Sequence, residues 1–375
     1  MSYAQVTGHQ SMVFDEARNR AYARAIEQCV TPDSVVLDLG CGLGIHGLLA
    51  AKAGARKVFL VDPEIVVQSA LEVAKFNGFG DRVQAFQGRI EEIELPEKVD
   101  VIISVFTGNL LYSEDLLPSL YFARDRWLKP GGHLIPDAAE LLMAPVCAPK
   151  RHDEWIAAWS KPHLEIDYSP IRRYAANQTY WGSREEYASW TLLADPVTVE
   201  RADFHEATTT FVDCTTDFPI LSGADCTGVL GWIRIHLGDA WVGTGPQDPP
   251  MHWTPQLFPL DPEWALKAGD TMGFKVHRPA WGEWTWTCTH AGQQQRHSTF
   301  LSQPVRASDL RALMAGHQPG RNAKGEVLLQ TLSRMNGSQT KEAVAAGLQH
   351  DFPSRFVNER EALAFVESVI RSHGA

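Results

Sequence analysis

Val35-Val36-Leu37-Asp38-Leu39-Gly40-Cys41-Gly42-Leu43-Gly44, followed by Lys57-Val58-Phe59-Leu60-Val61-Asp62, is the stretch around which the chain is organised. A β-rich apolar run meets glycines on alternate positions, and a helix-forming run (Leu48-Leu49-Ala50-Ala51-Lys52-Ala53) begins directly after. The pattern predicts strand, tight turn, helix, then a second buried strand ending in a carboxylate. Glycine tolerates positive φ and lets backbone approach a ligand, so the turn predicts a small-molecule cradle. Asp62, at the carboxyl end of the second strand, is placed to accept hydrogen bonds from two ribose hydroxyls.

Two nucleoside cofactors compete for such a unit. Gly42-x-Gly44-x-x-Gly47 satisfies the dinucleotide fingerprint formally. Asp38, just before the turn, instead favours S-adenosylmethionine, which carries an ammonium and a sulfonium and no pyrophosphate. Asp100-Val101-Ile102-Ile103-Ser104 and Leu128-Lys129-Pro130-Gly131-Gly132 resemble the later strand and turn of class I methyltransferases. A nucleotide fold that has lost its ligand is the plain alternative.

A length of 375 residues predicts two or three domains, and an apolar share of 44% is that of an ordinary globular protein. The net charge of −11 argues against a nucleic-acid duplex as partner and suits a cationic substrate. Six scattered cysteines without a CxxC pair read as reduced thiols of a cytoplasmic protein, with no metal site. No signal peptide opens the chain and no apolar run is long enough for a membrane span, so no membrane partner is expected.

Residues 9–26 show helical periodicity through Met12, Val13, Ala17, Tyr22, Ala25 and Ile26, with Asp15, Glu16, Arg18 and Arg20 on the other face. His9, Met12, Val13, Asp15, Arg18, Tyr22, Ala25 and Ile26 resemble the opening helix of protein arginine methyltransferases, H-x-x-M-L-x-D-x-x-R-x-x-x-Y-x-x-A-I, with Val13 as the one conservative departure. The resemblance implies a helix that folds over bound S-adenosylmethionine, with Arg18 gripping the cofactor carboxylate through a bidentate guanidinium. An ordinary amphipathic surface helix is the alternative. His9, Met12, Arg18, Asp38, Gly40, Cys41, Gly42, Gly44 and Asp62 are therefore expected to line the cofactor site. Downstream, residues 63–76 read as a helix closed by Asn77-Gly78, and residues 82–86 as a strand. The following segment from Gly88 to Pro96 looks like the family stretch in which a glutamate faces the adenine amino group, which places Glu91 there with Ile90 supplying backbone contacts.

The family reads S-E-W-M-G-Y-x-L-x-Y-E at its acceptor clamp, and the resemblance implies two carboxylates around a guanidinium. Here the segment is Ser104-Val105-Phe106-Thr107-Gly108-Asn109-Leu110-Leu111-Tyr112-Ser113-Glu114. Glu114 is kept, whereas the first glutamate is Val105, the tryptophan is Phe106 and the tyrosine is Asn109. A single carboxylate beside an apolar neighbour suits an amine, an imidazole or another small nucleophile better than a five-donor guanidinium. Asp115, or an acid elsewhere, could instead restore the clamp.

Leu116 to Trp127 reads as a helix, and Pro136 marks the exit from the cofactor domain. Short alternating runs at 197–203, 207–214, 228–237, 271–276 and 283–290 then predict an antiparallel barrel or sandwich. Within residues 150–190, Trp159, Asp167, Tyr168, Ser169, Pro170 and Ile171 resemble the arm by which arginine methyltransferases dimerise; a surface insertion is the other reading. Met251-His252-Trp253-Thr254-Pro255-Gln256 looks like the family's T-H-W-x-Q loop, whose histidine pairs with the aspartate of the first helix, here Asp15. Such a pair raises imidazole basicity and serves as a proton relay or orders the helix over the cofactor. After residue 303 the family pattern ends. Helices are expected at 309–315, 325–335, 340–348 and 359–371, with Ser338 or Thr340 as an N-cap, and they resemble winged-helix modules that hold leader peptides. A plain helical cap is the alternative.

The resemblance thus implies an α/β Rossmann-like class I methyltransferase domain (1–136), an antiparallel β-barrel substrate domain (137–303) and a small C-terminal helical domain (304–375). The implied activity is S-adenosylmethionine-dependent N-methylation, in a homodimer, of an amine in a peptide or amino-acid-derived substrate. Glu114, His252 and Asp15 are the expected catalytic residues, and Val105, Phe106, Asn109 and Trp253 the expected acceptor contacts. An arginine methyltransferase with a rearranged clamp and a catalytically silent scaffold stay open beside it.

Overall fold

The computed structural model describes residues 5–187 and 189–374, the side chains of residues 184 and 185 excepted. It divides into two compact units, Met1–Pro304 and Val305–Ala375. In the first unit, α1 (Gln10–Val13) and α2 (Glu16–Cys29) precede β1 (Val35–Leu39), α3 (Ile45–Lys52), β2 (Lys57–Asp62), α4 (Val67–Phe76), β3 (Val83–Gln87), β4 (Val99–Ser104), α5 (Leu117–Trp127) and β5 (Leu128–Ile135). The five strands form a parallel sheet in the order β3-β2-β1-β4-β5. Every residue of β1 is buried, as expected of a strand covered by helices on both faces. The strand order reverses between β1 and β4, and a crevice opens at the carboxyl ends of such a pair. The turn after Leu39 and the segment after Ser104 leave from register-paired residues there.

The single helix expected over residues 9–26 is broken. A 3-10 turn, Val6–His9, leads into α1, the chain leaves the helix at Phe14, and α2 restarts with Asp15 as its N-cap. Asp15 Oδ1 accepts from the Arg18 backbone N–H at 3.0 Å. A carboxylate capping its own downstream backbone competes with helix continuation, and the periodicity does not register that break. Two other boundaries move: the helix foreseen from Pro63 begins at Val67, and Leu128 to Gly132 are part of β5 rather than a turn before it.

The second layer of this unit is antiparallel. Its strands are β6 (Ala138–Cys147), β7 (Tyr180–Trp181), β8 (Thr191–Leu192), β9 (Val197–Asp203), β10 (Val212–Pro219), β11 (Ala224–Leu237), β12 (Ala240–Gly243), β13 (Gln256–Leu266), β14 (Thr271–Arg278), β15 (Thr285–His290) and β16 (Gln293–Ser298). One sheet runs β7-β13-β11-β6-β8, with β12 and β9 paired to β11 and β6; the other runs β10-β14-β15-β16. The run at 207–214 becomes a strand only from Val212, and Gln256, the last residue of the loop motif, opens β13. Between β6 and β8, the segment 149–187 folds into short helical turns with Trp155, Trp159, Tyr168, Tyr174 and Tyr180 around one aromatic hollow.

The second unit consists of helices Ala307–Ala312, Ala323–Arg334, Lys341–Asp351 and Glu359–His373. Val327, Val344, Ala345, Leu348, Phe356, Ala362 and Val366 form its core. Thr340, not Ser338, caps the third helix, its side chain accepting from the Ala343 N–H. Among the described residues this unit has no strand, so the wing of a winged-helix module has no counterpart there.

Candidate active site

The glycine turn is held by the strand beside it. Gly40 and Cys41 donate to the Val61 carbonyl at 2.9 and 3.1 Å, and Gly42 donates to Asp62 Oδ2 at 2.8 Å. Gly40 and Gly42 have φ of +68° and +52°. A Cβ at Gly40 would overlap the Phe106 ring, and one at Gly42 would stand 2.7 Å from His9 Nδ1. These two positions need glycine both for conformation and for space. Asp62 Oδ1 also accepts from the Glu64 N–H at 2.9 Å, so two backbone bonds aim the carboxylate and leave lone pairs for ribose hydroxyls.

Asp38 lies fully inside, its Oδ2 accepting from the Gly47 N–H at 2.7 Å. Burial pushes its pKa up to about 7, against the Gly47 hydrogen bond and with a further upward push from Asp62. A cationic ligand placed near it would favour the charged carboxylate. Cys41 is buried, and burial drives its thiol far above the ordinary range, so it acts as a packing residue.

Arg18, on the first turn of α2, is 3% exposed. Its Nη2 donates to the Met12 carbonyl at 2.6 Å, and its guanidinium carbon lies 5.5 Å from the centre of the Trp253 ring. Nη1 makes no hydrogen bond among the described residues and is available to a carboxylate. Burial lowers the Arg18 pKa, while Tyr22, Asp15 and Asp38 oppose that shift.

Asp15 and His252 meet, but through the backbone: Asp15 Oδ2 accepts from the His252 N–H at 2.6 Å. Asp15 therefore ties the 251–255 loop to the start of α2. The His252 side chain is exposed, and its imidazole falls below the usual histidine range through partial desolvation and Arg18, against the upward pull of Asp15. Asn109 supplies a second tie, its Oδ1 accepting from the Thr254 N–H at 2.7 Å. Together these bonds place Trp253, 6% exposed, between the first helix and the segment after β4.

That segment turns sharply, with positive φ at Gly108, Leu111 and Asp115. Glu114 folds back on it: a Cβ at Gly108 would sit 2.8 Å from Glu114 Oε1. Desolvation raises the Glu114 pKa, and among the described residues the carboxylate has neither hydrogen bond nor ion pair. Asp115, the acid that could have replaced the missing first glutamate, is committed elsewhere. Arg278 Nη1 and Nη2 donate to its two oxygens at 3.0 and 2.6 Å, and the Trp281 N–H adds a third bond at 3.2 Å. Val105 and Phe106 are half-buried and pack against the main core, Phe106 against Gly40.

Ile90 is buried, whereas Glu91 is exposed, accepting from Ser119 Oγ at 2.6 Å and lying 3.5 Å from Arg89. Neither makes a hydrogen bond to the glycine turn, α1 or the Glu114 hairpin. Sequence reasoning missed three participants: Asn19, His46 and Arg278. A histidine inside the otherwise apolar start of α3 was the one available signal; nothing near Arg278 pointed to Asp115.

The donor set fits S-adenosylmethionine. Aimed Asp62 answers a ribose, buried Asp38 and the glycine turn admit a cationic ligand without a pyrophosphate, and Arg18 offers a free donor to a carboxylate. Comparison with known proteins agrees. Residues 36–132 match the model of a methyltransferase domain, and residues 137–280 that of the arginine methyltransferase oligomerization subdomain. The chain is 34% identical over 310 residues to a probable protein arginine N-methyltransferase 6 of Arabidopsis thaliana, covering 70% of this chain and 71% of the relative. It is 40% identical over 345 residues to a probable protein arginine N-methyltransferase 6.2 of Oryza sativa subsp. indica, covering 80% and 82%. Among solved structures it resembles the Trypanosoma brucei PRMT1 enzyme-prozyme heterotetrameric complex with AdoHcy, with a TM-score of 0.70 and 26% identity over 80% of this chain and 99% of that one. The fold is shared with Arabidopsis thaliana protein arginine methyltransferase 10, at a TM-score of 0.67 and 23% identity over 79% of this chain and 99% of that one.

Proposed function

The chain belongs to the protein arginine N-methyltransferase family, and from that premise we propose that it methylates an amine-type nitrogen of a peptide or amino-acid-derived substrate. It is an S-adenosylmethionine-dependent methyltransferase, and the cofactor supplies an activated methyl carbon on a sulfonium. What remains for the protein is to aim a nitrogen lone pair at that carbon and to accept the proton that leaves.

The observation that carries the amine reading is the state of the two acids after β4. Glu114 is unpaired and desolvated, whereas Asp115 is held by both arms of Arg278. One carboxylate, with Val105 standing where the family has the second acid, satisfies an amine, whose remaining donors reach a backbone carbonyl or water. A guanidinium there leaves donors against an apolar wall, each costing on the order of 1–3 kcal/mol. Desolvated Glu114 holds the acceptor and favours taking up its proton. The His252 ring is a second proton acceptor, and Asp15 positions it through its backbone. Family membership favours the second reading, an arginine acceptor with a rearranged clamp, which requires Asp115 to leave Arg278 or an acid elsewhere to complete the clamp.

The aromatic hollow of segment 149–187 and the oligomerization-subdomain match support a homodimer formed through this arm. The helical unit after Pro304 is a candidate for delivering a peptide substrate.

The test compares peptides bearing lysine, histidine, a free amino terminus or arginine, with labelled S-adenosylmethionine, on wild type and Val105→Glu. The expected wild-type preference is at least tenfold in kcat/KM for an amine or imidazole over arginine, with Val105→Glu moving it toward arginine. Efficient arginine methylation by wild type would overturn the amine reading, and transfer to none of them would support a silent scaffold.

A further inference from the structure

The short helix that should close over the cofactor, α1, buries none of its own residues, although His9, just before it, is buried beside Gly42. In and just after this helix, Gln10, Ser11 and Phe14 are exposed. Its place is set by hydrogen bonds to the carbonyls at its end. Arg18 Nη2 donates to the Met12 carbonyl at 2.6 Å, and Asn19 Nδ2 donates to the Met12 and Val13 carbonyls at 3.2 and 2.8 Å. Two of these three bonds come from one carboxamide.

That carboxamide has a fixed orientation. Asn19 Oδ1 faces His46 Nε2 at 3.2 Å and the Arg18 Nε and Nη2 at 3.4 Å. Because Asn19 Nδ2 spends its N–H groups on the carbonyls, Oδ1 is the end toward His46, and Nε2 must be the protonated, donating nitrogen. The ring itself is 4% exposed and stacks on Tyr22 with centroids 4.3 Å apart; the Tyr22 hydroxyl in turn donates to the Ser104 carbonyl at 2.9 Å. His46 is therefore anchored to the end of β4 as well as to α3.

We infer that Asn19 and His46 are positioning residues for the cofactor: the imidazole N–H turns the Asn19 carboxamide so that it clips the end of α1 to α2, holding Met12, Arg18 and His9 over the glycine turn. The ring is neutral at working pH, since burial and Arg18 push the His46 pKa down to about 3, and the Asn19 oxygen facing Nε2 selects the tautomer with its proton there. Without it, the end of α1 loses two of the three side-chain hydrogen bonds named above and has only the half-buried Met12 and Val13 side chains beside them, so its local opening becomes easier. Arg18 keeps its own bond, but to a segment free to move.

The test reads cofactor binding, which needs no acceptor and so stands apart from the amine reading. Calorimetric titration with S-adenosylhomocysteine compares wild type, Asn19→Ala, His46→Leu, His46→Gln and the Asn19→Ala/His46→Leu double variant. Hydrogen exchange of residues 10–15 is followed in the ligand-free protein. Leucine keeps the buried apolar volume without a donor, and glutamine restores an N–H. Expected are a five- to tenfold weaker Kd for Asn19→Ala and His46→Leu, no further loss in the double variant, and recovery to within twofold in His46→Gln. Exchange at residues 10–15 should rise in the same variants that lose affinity, and the loss in turnover should appear in the KM for S-adenosylmethionine rather than in kcat. Unchanged affinity in folded His46→Leu, or equal losses in His46→Leu and His46→Gln, would overturn the assignment. So would additive losses in the double variant.

Discussion

Replacing Asp115 by asparagine isolates the charge that fixes the acceptor hairpin. Asparagine tolerates the φ of +50° found at this position and keeps the side-chain shape, so backbone strain does not enter. What changes is the partner of Arg278. The Arg278 side chain is 4% exposed and that of Asp115 13%, joined by two hydrogen bonds of 3.0 and 2.6 Å. Removing one member of a buried pair costs about 3–5 kcal/mol, because the other charge is left in the interior. The asparagine oxygen can still accept one of the two bonds, which reduces the expected loss to about 2–4 kcal/mol. In Asp115→Asn/Arg278→Met both charges are absent, and most of that loss should return, since an apolar pair of similar volume is often neutral. Activity should behave differently. The two-bond tie between hairpin and barrel is reduced to one bond in the single variant and absent in the double, so Glu114, the preceding residue, is held less firmly and kcat should fall in both, by about tenfold or more in the double, equivalent to at least 1.4 kcal/mol. Urea unfolding followed by tryptophan fluorescence gives the stability cycle, and labelled methyl transfer gives the rates. A loss below about 0.5 kcal/mol in Asp115→Asn would refute the buried-pair argument. A double variant with full activity would show that the tie does not position Glu114.

The remaining predictions concern the cofactor turn. Asp62→Ala should weaken S-adenosylmethionine binding by about 1.5–3 kcal/mol, because ribose hydroxyls lose a charged acceptor and the Gly42 N–H loses its partner. Unchanged calorimetric affinity would reject that role. The pH dependence of ligand-free stability provides another check. Asp38, raised to about 7, binds more protons folded than unfolded, so its contribution is full below its unfolded pKa and is lost as pH rises toward 7. His46, lowered to about 3, does the opposite: its contribution is full above about 6.5 and is lost as pH falls from there. Between about pH 4.5 and 6 the two slopes oppose each other, and His46→Leu should make stability fall with rising pH by up to about 1.4 kcal/mol per pH unit more than in wild type. Denaturant titrations across that range read the slope directly, and identical slopes in the two proteins would reject the opposition.

The sequence alone determined the parts of this protein whose signal is local. The apolar run through Leu39, the glycines after it and Asp62 at the end of β2 lie within one strand-turn-helix-strand unit, so periodicity and turn chemistry specify them without the rest of the fold. The substitution of Val105 for an acid was legible in the same way, because it stands in a short motif next to a strand end. The break at Phe14 was not, because whether a helix continues through Asp15 depends on a backbone cap and on the His252 N–H, 237 residues away. Only the tertiary structure decided which acids are available: Asp115 and Glu114 are neighbours in sequence, yet one meets Arg278, 163 residues away, and the other has no hydrogen bond or ion pair among the described residues. The same holds for His46, which reads as an odd residue in an apolar helix until Asn19 and Tyr22 are brought to its two sides. A hydrogen bond or ion pair between distant segments leaves no periodic trace in the chain, since its partners are constrained by the folded geometry and not by their neighbours. For this protein, the cofactor cradle is a local property and the acceptor site a tertiary one.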